Sequence, residues 1–424
     1  MKRSIQILLL FLLSAGFVLS FSSYSYAVPA FARQTGQECS SCHFQHMPAL
    51  NTYGRAFKSS GYTDVGDQPL IEGDNGLSIP STMNLSLIVK LRIVKEHTEG
   101  TSTGTGSDLF EWQYPDEAAL FLGGRISENI GFVLESQLSD PDGPVFDSFK
   151  MPIGSDIAGG RALLIPFFTP AHGPGFSFEL LNTGAVRNMR SFEDRKSMSA
   201  QQWAGIGAGA ASGMAAVYSN DLFFLNVAEY APFDPSTNPG VDQFGHYLRG
   251  ALMGDIGPFD SAIGVQVHSG TAKWNGEEVT LISPAGGGTV TESSSVVQNE
   301  AKNDRWAIDA QMQGDVGGMP LGLYAAYVKV GTEDWTNSDP NDKTGWNVTA
   351  ELGVKPGKVT VGAGFRAGDN GKATNNDDHA TFLGVTYMSK QNVQLQINHT
   401  LLGGDSNNAA FKESRSILML FAAF

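Results

Sequence analysis

The sequence is poor in cysteine, in charged residues and in positive charge. Its 424 residues include two cysteines, 28 Lys and Arg against 43 Asp and Glu, and a charged fraction of 17%. The formal net charge of -15 disfavours nucleic acid as a partner and allows cationic ligands, metal ions included. Beyond the amino terminus, no segment has the length and apolarity of a transmembrane helix. The 50 glycines and the low charge instead suit a β-barrel.

The amino terminus predicts an export signal. Lys2 and Arg3 precede an apolar run over residues 5–19, and Ser25-Tyr26-Ala27 is a small-x-small cleavage site. A membrane anchor is the alternative, but the run is shorter than the roughly 20 residues that a spanning helix needs. We therefore expect cleavage after Ala27 and an exported mature chain.

Both cysteines lie in one pentapeptide, Cys39-Ser40-Ser41-Cys42-His43. This is C-x-x-C-H, the attachment signature of a c-type haem. The two thiols add to the haem vinyl groups, and the adjacent imidazole is the proximal iron ligand. A local disulfide or a redox-active thiol pair is the alternative in an exported protein, but neither gives a reason for His43. The motif predicts one covalent haem c on Cys39, Cys42 and His43.

Residues 28–80 are predicted to form a small haem domain after the signal peptide (1–27). Within it, Leu50, Tyr53 and Phe57 follow helical spacing, which predicts a helix over residues 43–59, interrupted at Pro48. The apolar side of this helix would cover one face of the haem.

The sequence leaves the distal haem ligand open. His46 and Met47 lie on the same predicted helical turn as His43, so they cannot easily reach the opposite face of the ring. Met83 is far enough along the chain to return over that face, and a Met/His pair would raise the reduction potential. Met83 is the main candidate, His46 and His97 are lesser ones, and an open or water-bound site is a further alternative.

From Thr82 onward the pattern changes to period two, as in residues 84–93, where Leu85 to Ile93 alternate with polar residues. The same alternation recurs in segments 176–181, 306–313, 346–353, 359–366 and 393–398. The strands have the roughly 10 residues needed to cross a bilayer, and their polar sides are too hydrophilic for a packed core. The polar sides are therefore expected to face a water-filled lumen.

The connections between these segments alternate in length. Short turns are predicted at 127–129, 219–221, 257–258, 317–320, 355–357 and 389–391, and long polar loops at 97–116, 138–155, 183–199, 231–245, 270–303, 332–344, 367–378 and 402–413. Short periplasmic turns with long outer loops are typical of bacterial barrels. Residues 81–424 are thus predicted to form an all-β, transmembrane antiparallel β-barrel of about 16 strands, which ends on the aromatic Phe424.

The haem domain is expected either on the periplasmic side of the bacterial outer membrane or inside the barrel. A barrel of this size encloses a lumen wide enough for water and a small plug, and the haem domain is a natural plug. Charged residues predicted to line the lumen, which would hold the plug by ion pairs, are Lys90, Arg92, Arg125, Glu135, Arg161, Glu179, Arg249, Asp309, Glu351 and Arg366. Outer-loop acids that would attract a hard cation are Glu99, Asp140, Asp142, Asp234, Asp242, Asp339, Asp342, Asp377 and Asp378. The tightest cluster among them is Asp377-Asp378-His379.

The amino-terminal part also resembles a known family. Residues 27–36, the C-x-x-C-H motif, 44–46, 50–51, 54–58 and 61–62 are similar to the fused monohaem cytochrome c–porins of iron-oxidising bacteria. The resemblance is dense over residues 27–62 and is one of architecture alone over the barrel. Met47 stands where the family pattern leads us to expect an aromatic residue.

The resemblance implies an outer-membrane electron-transfer protein, embedded in outer-membrane lipid, that oxidises extracellular Fe(II) at its haem. Electrons would pass to a periplasmic c-type cytochrome or another soluble carrier, which makes an iron:cytochrome c oxidoreductase activity the implied one. Two alternatives stay open. The protein is a solute porin whose haem is structural or regulatory, or it conducts electrons for a different extracellular donor or acceptor.

Overall fold

The described part of the chain starts with short helices and continues as a barrel. The computed structural model describes residues 30–66, 68–98, 110–139, 145–184, 195–233, 240–282, 291–410 and 412–424. The predicted signal peptide and its cleavage site at Ala27 lie outside these residues. The first described elements are the helices α1 (Ala30–Thr35), α2 (Cys39–Cys42) and α3 (Thr52–Ser59), and the hairpin of β1 (Leu70–Gly73) and β2 (Leu77–Pro80).

The helix predicted over residues 43–59 is shorter than expected. Helix α3 begins at Thr52, because the side chain of Asn51 accepts a hydrogen bond from the Gly54 amide at 2.9 Å and caps the helix. Residues 43–51 are irregular. Of the three predicted apolar residues, Phe57 is buried, whereas Tyr53 is exposed and Leu50 precedes the helix.

The barrel wall and its extensions contain the remaining strands. They are β3 (Leu85–Thr98), β4 (Phe110–Ser127), β5 (Ile130–Gln137), β6 (Val145–Lys150), β7 (Ile153–Ile157), β8 (Gly160–Thr169), β9 (Ala211–Ser219), β10 (Phe223–Ala231), β11 (Val241–Gln243), β12 (Gly245–Ile256), β13 (Phe259–Ser269), β14 (Thr271–Ile282), β15 (Thr291–Lys302), β16 (Arg305–Val316), β17 (Met319–Val330), β18 (Lys343–Lys355), β19 (Val359–Asp369), β20 (Asp377–Lys390), β21 (Val393–Gly403) and β22 (Lys412–Ala423). In the described part of the chain, no helix is long and apolar enough to cross a membrane.

Neighbouring strands pair antiparallel around the barrel, and β22 pairs with β3 to close it. Strands β6 and β7 both pair with β5 and with β8, so they are two halves of one strand broken at Met151-Pro152. Pro152 has no amide N–H to donate to the ladder, which explains the break. Counted this way, the described strands form a closed sixteen-stranded barrel, as predicted.

The burial pattern is that of a barrel with a polar interior. In β21, Ile397 is 43% exposed and Leu401 is 52% exposed, whereas Asn398 and Thr400 between them are buried. The same alternation sets Ile308 outside and Asp309 inside in β16. In these strands apolar residues therefore cover the outer surface and polar residues face the lumen, which is the arrangement of a membrane barrel rather than of a soluble one.

Long and short connections alternate as predicted. The six predicted short turns join strand pairs at one end, called the short-turn end here, and a seventh at Ala158-Gly159 was missed. The long connections meet at the opposite, long-loop end. The segment 270–303 is not an open loop, since β14 and β15 form a hairpin that extends β13 and β16 and pairs with β11.

The connection between β8 and β9 folds into the lumen, where it includes the helices α4 (Arg195–Met198) and α5 (Ala200–Trp203). The strand predicted over residues 176–181 is wrong. Apolar Phe178 and polar Glu179 are both buried, because this segment has barrel wall around it and no lipid face. We call its described part, residues 174–184 and 195–206, the inner loop. A sixth helix, α6 (Asp405–Ala409), lies between β21 and β22.

Candidate functional site

Residues 30–66, which we call the plug segment, lie inside the barrel near the short-turn end. His46 Nε2 lies 2.7 Å from a carboxylate oxygen of Glu351 on β18, and Arg55 pairs with Asp260 on β13. Gln394 on β21 donates a hydrogen bond to the Met47 carbonyl at 3.1 Å. The plug is thus attached to separate parts of the wall.

The C-x-x-C-H motif forms one helical turn with a defined imidazole. Cys39 to Cys42 make up α2, and the His43 amide donates to the Cys39 carbonyl at 2.9 Å. The Nδ1 of His43 lies 3.2 Å from the Ala49 carbonyl oxygen. Since a carbonyl only accepts, Nδ1 carries the proton, and Nε2 is the ring nitrogen with a lone pair for a metal.

Helix α3 packs directly on this turn. A Cβ atom at Gly54 would lie 2.2 Å from the Cys42 carbonyl oxygen, so a larger residue would push the two helices apart. Asn51 fixes the same contact, because its amide donates to Cys42 at 3.0 Å and its side chain donates to Ser41 at 3.0 Å. Gly54 and Asn51 therefore hold the motif against α3.

A cavity of about 330 Å³ lies between the plug segment and the barrel wall. Cys39, Cys42 and His43 all line it. Its other walls are mainly apolar and come from both parts of the molecule: Ala30, Phe31, Met47, Pro48, Leu50, Phe57, Tyr62, Ile88, Phe121, Val133, Phe176 and Phe421. The cavity thus brings the motif together with an aromatic and aliphatic lining.

These residues fit a c-type haem. A haem needs two thiols on one edge, an imidazole below the iron and apolar surroundings for its faces. Phe31 supplies part of that lining, since it stacks on Tyr62 at 5.1 Å between ring centroids and meets Phe121 edge-on at 5.6 Å. Cys39, Cys42 and His43 would hold the group, which would supply one-electron redox chemistry.

The two thiols are not activated nucleophiles. Burial raises the pKa of Cys39, with a smaller upward contribution from Glu38, and burial also raises the pKa of Cys42, with a contribution from Cys39. Reactive redox cysteines have a lowered pKa and a thiolate near neutral pH. The environment of Cys39 and Cys42 therefore does not favour the alternative of a redox-active thiol pair.

The structure does not bring the predicted distal ligands to the cavity. Met83 is 70% exposed just before β3 and is not among the residues that line the cavity. His97 is at the long-loop end, paired with Glu413 at 2.9 Å. His46 is buried with both ring nitrogens engaged, by Glu351 and by the Met47 carbonyl. His46 attaches the plug to the wall instead.

Met47 and His172 also line the cavity, and they offer a thioether and an imidazole, both of which can bind haem iron. Met47 is buried close to His43 in the chain. His172 follows β8, and its amide donates to the Thr169 hydroxyl at 3.2 Å. Its ring stacks on Phe176 with centroids 5.9 Å apart. His172 was not predicted, because no motif in the sequence connects residue 172 to residues 39–43.

Most of the predicted lumen charges have a charged or hydrogen-bonding partner. Arg249 is fully buried between Glu179 of the inner loop, at 2.8 Å, and Asp309 of β16, at 2.6 Å. Lys90 pairs with Glu117 at 2.6 Å. Arg125 reaches the plug segment, where it donates to the Thr63 carbonyl at 3.2 Å. Glu351 and Arg125 thus hold the plug as expected, whereas Arg249 holds the inner loop.

The predicted acidic cluster at Asp377-Asp378-His379 is divided between two sides of β20. Asp378 pairs with Arg366 in the lumen at 2.5 Å, and His379 lies 3.4 Å from Asp377 outside it. Asp342 pairs with Lys329 at 2.6 Å. Glu99, Asp140, Asp142 and Asp234 lie outside the described residues. Alternation along a strand therefore separates side chains that are neighbours in sequence.

Comparison with known proteins shows the fold. The sequence matches no protein-family model and no curated protein. OprB of Pseudomonas putida is 9% identical with a TM-score of 0.51, over 81% of this chain and 94% of OprB. The outer membrane channel DcaP of Acinetobacter baumannii is 10% identical with a TM-score of 0.49, over 84% of this chain and 99% of DcaP. An anion-selective porin from Comamonas acidovorans is 15% identical with a TM-score of 0.47, over 81% and 99%. The likeness to OprB shows that the two chains share a barrel fold.

Proposed function

We propose that the protein is an outer-membrane electron-transfer protein that carries one covalent haem c in the cavity beside its plug segment. It would accept electrons from extracellular Fe(II) and pass them to a periplasmic c-type cytochrome or another soluble carrier. The observation that carries this proposal is the cavity itself. Cys39, Cys42 and His43 open into one apolar space that the barrel wall completes.

The contents of the lumen favour the passage of electrons over that of solutes. The plug segment reaches the wall at Glu351 and Asp260. The inner loop spans the lumen from Asn226, which binds the Phe178 carbonyl at 3.0 Å, to Asn347, which binds the Ala200 amide at 2.8 Å. Two inserted segments therefore occupy a space that is a water-filled channel in porins of this size.

The overall step transfers one electron per metal ion. Each Fe(II) loses one electron and becomes Fe(III), and a one-electron carrier in the periplasm gains that electron. Bound haem supplies the intermediate redox centre. The protein contributes the position of the two thiols, the His43 tautomer in which Nε2 carries the lone pair, and the apolar lining. Burial and axial ligation by such groups set the reduction potential.

A solute porin is the second candidate, and the comparisons favour it more directly than they favour electron transfer. DcaP is described as an outer membrane channel, and the Comamonas protein as an anion-selective porin. In this case the cavity would hold a structural or regulatory haem, and the plug would gate the channel. The fold is common to both candidates, so activity must separate them.

Purified, haem-loaded protein in liposomes tests the proposal. We expect Fe(II) to reduce the haem rapidly under anaerobic stopped-flow conditions, with little flux of small solutes. A Cys39→Ala, Cys42→Ala protein should still insert but lose covalent haem and Fe(II)-dependent reduction. Persistence of that reduction without haem would overturn the proposal, and so would fast solute flux with no reduction. Parallel runs with other reductants would identify a different donor.

A further inference from the structure

A set of metal-binding side chains lies at the cavity opposite the plug. Glu135 on β5, Asp147 on β6 and His172 after β8 each offer one ligand atom, and these atoms lie within 4.8 Å of one another. Glu135 and His172 also line the cavity that Cys39, Cys42 and His43 line. All three residues are half-buried, so ions from the lumen can reach them.

A β-bulge directs Asp147 to this point. Glu135 pairs with Ser148, but the next pair is Ser136 with Phe146, so Asp147 is an extra residue in β6. Phe146 is exposed on the outer side and Ser148 is fully buried on the inner side. The bulge lets Asp147 and Ser148 both face inward, which regular alternation forbids.

Ser148 gives a second, independent indication of a ligand. Its side chain is fully buried, and among the described residues its Oγ atom has no hydrogen-bond partner. As the cross-strand partner of Glu135, Ser148 lies on the same face of the sheet, next to that carboxylate. A buried hydroxyl without a partner costs free energy unless a ligand or an ordered water completes it. A hydrated cation at Glu135 would supply that partner.

We propose that Glu135, Asp147 and His172 bind a divalent transition-metal cation. Two carboxylates and one imidazole suit Fe(II), Mn(II) and similar ions, whereas an all-oxygen set would favour Mg²⁺ or Ca²⁺. Ligands at about 2.1 Å from an ion lie at most about 4.2 Å apart, so the three side chains need only a small approach. The identity of this ion as Fe(II) rests on the proposed function, in which Fe(II) is the electron donor.

The surroundings favour a cation from outside. Glu135 is near the end of β5 at the long-loop end of the barrel. Asp147 is near the start of β6 and His172 follows β8, which are at the same end. An ion that enters from the outer side therefore meets this site before the motif. Two other charged side chains line the same cavity, and both have partners of their own. Lys150 donates a hydrogen bond to the Phe176 carbonyl at 2.7 Å, and Glu179 pairs with Arg249 at 2.8 Å.

Mn(II) alone is the probe for the site. Its binding is measured as the loss of the electron paramagnetic resonance signal of free Mn(II) when the full-length, haem-loaded protein is added. We expect one site per chain, and at least tenfold weaker binding in Glu135→Gln and in Asp147→Asn, since even outer-shell changes at metal sites cost roughly 10–100-fold in affinity. Asp377→Asn is the matched control, an exposed acid elsewhere at the long-loop end, and its affinity should equal that of the unmodified protein.

Unchanged heat-modifiable migration and haem content would show that the two variants fold. Equal Mn(II) binding by the unmodified protein and both folded variants, or no Mn(II) binding at all, overturns the site. If Mn(II) binds here but excess Mn(II) does not slow haem reduction by Fe(II), the assignment of Fe(II) to this site is wrong. If Mn(II) binds but Fe(II) never reduces the haem, the proposed function fails and the cation site stands.

Discussion

At the scale of single residues, the local environment of each histidine separates those that can bind a metal from those that hold structure. The Nδ1 of His43 lies 3.2 Å from the Ala49 carbonyl oxygen, which places the proton on Nδ1 and the lone pair on Nε2. His46, three residues later, has both ring nitrogens engaged. The sequence offers two similar imidazoles, and only the tertiary contacts distinguish them.

We expect Met83→Ala to leave the haem spectrum unchanged. Met83 is 70% exposed and does not line the cavity, so removal of its sulfur should not alter the iron ligands. His43→Ala should shift the near-infrared magnetic circular dichroism band, because the proximal imidazole is lost. A band shift in Met83→Ala would restore Met83 as the distal ligand.

The ion pair of His46 with Glu351 predicts a pH dependence of plug docking. Burial alone lowers the pKa of His46, but the Glu351 carboxylate outweighs it, so the net pKa is raised above 6.5. The pair therefore stabilises the docked plug fully below about pH 6.5, and this stabilisation is lost as pH rises through the raised pKa.

Hydrogen exchange of the amides in residues 44–59, corrected for intrinsic rates, measures this effect. Protection should fall as pH rises above neutrality. In Glu351→Gln the pKa of the buried imidazole should drop, and the protection should no longer change over that range. Protection that is independent of pH in the unmodified protein contradicts the prediction.

At the scale of elements, period-two alternation correctly identified five barrel strands, since each residue of a membrane barrel faces either lipid or lumen, and the order of short turns and long loops gave the total. Segment 176–181 has the same alternation but is not a strand. Phe178 packs on Phe224 at 5.7 Å, while Glu179 pairs with Arg249, so both sides of the segment are buried in the lumen. A pattern of alternation does not reveal whether its apolar side meets lipid or a core inside the barrel.

The candidate site was predictable only in part for a related reason. Cys39, Cys42 and His43 lie within five consecutive residues, so a sequence motif is enough to predict their role. Asp147 and His172 become neighbours only through a bulge and through the fold of the β8–β9 connection. Arg55 and Asp260 likewise meet across 205 residues of chain, and nothing local indicates the pair.

Arg249 attaches the inner loop to the barrel wall, so we expect its substitution to lower the stability of the protein strongly. Arg249→Gln leaves the buried carboxylates of Glu179 and Asp309 without their cation, which costs about 3–5 kcal/mol when one partner of a buried pair is removed. Arg415→Gln is the control, since Arg415 pairs with the half-exposed Glu96 and should contribute less than about 1 kcal/mol. Urea unfolding in detergent measures the free energy of unfolding of both variants. Equal losses in the two would show that the buried Arg249 network does not hold the inner loop in place.

At the scale of the whole molecule, the described part of the chain inserts segments of its own into the barrel lumen. The residues that fill it come from two distant segments, the plug and the inner loop, which meet at Leu50, whose amide donates to Asn182 at 2.8 Å. The cavity that contains the motif is therefore bounded by the plug, the inner loop and the wall together. A haem there would complete the packing of all three.

This arrangement predicts that the intact protein conducts ions poorly and that undocking of the plug opens it. In planar bilayers, the His46→Ala, Arg55→Ala protein should show a single-channel conductance several-fold above that of the unmodified protein, because the attachments to Glu351 and Asp260 are lost. Met83→Ala, which touches neither attachment, should conduct like the unmodified protein. If the unmodified protein already conducts like an open sixteen-stranded porin, the lumen is not sealed, and solute transport becomes the better account of the fold. A low conductance that rises on undocking shows that the plug seals the lumen, which electron transfer requires and a gated porin shares, so haem reduction by Fe(II) in the same protein then separates the two.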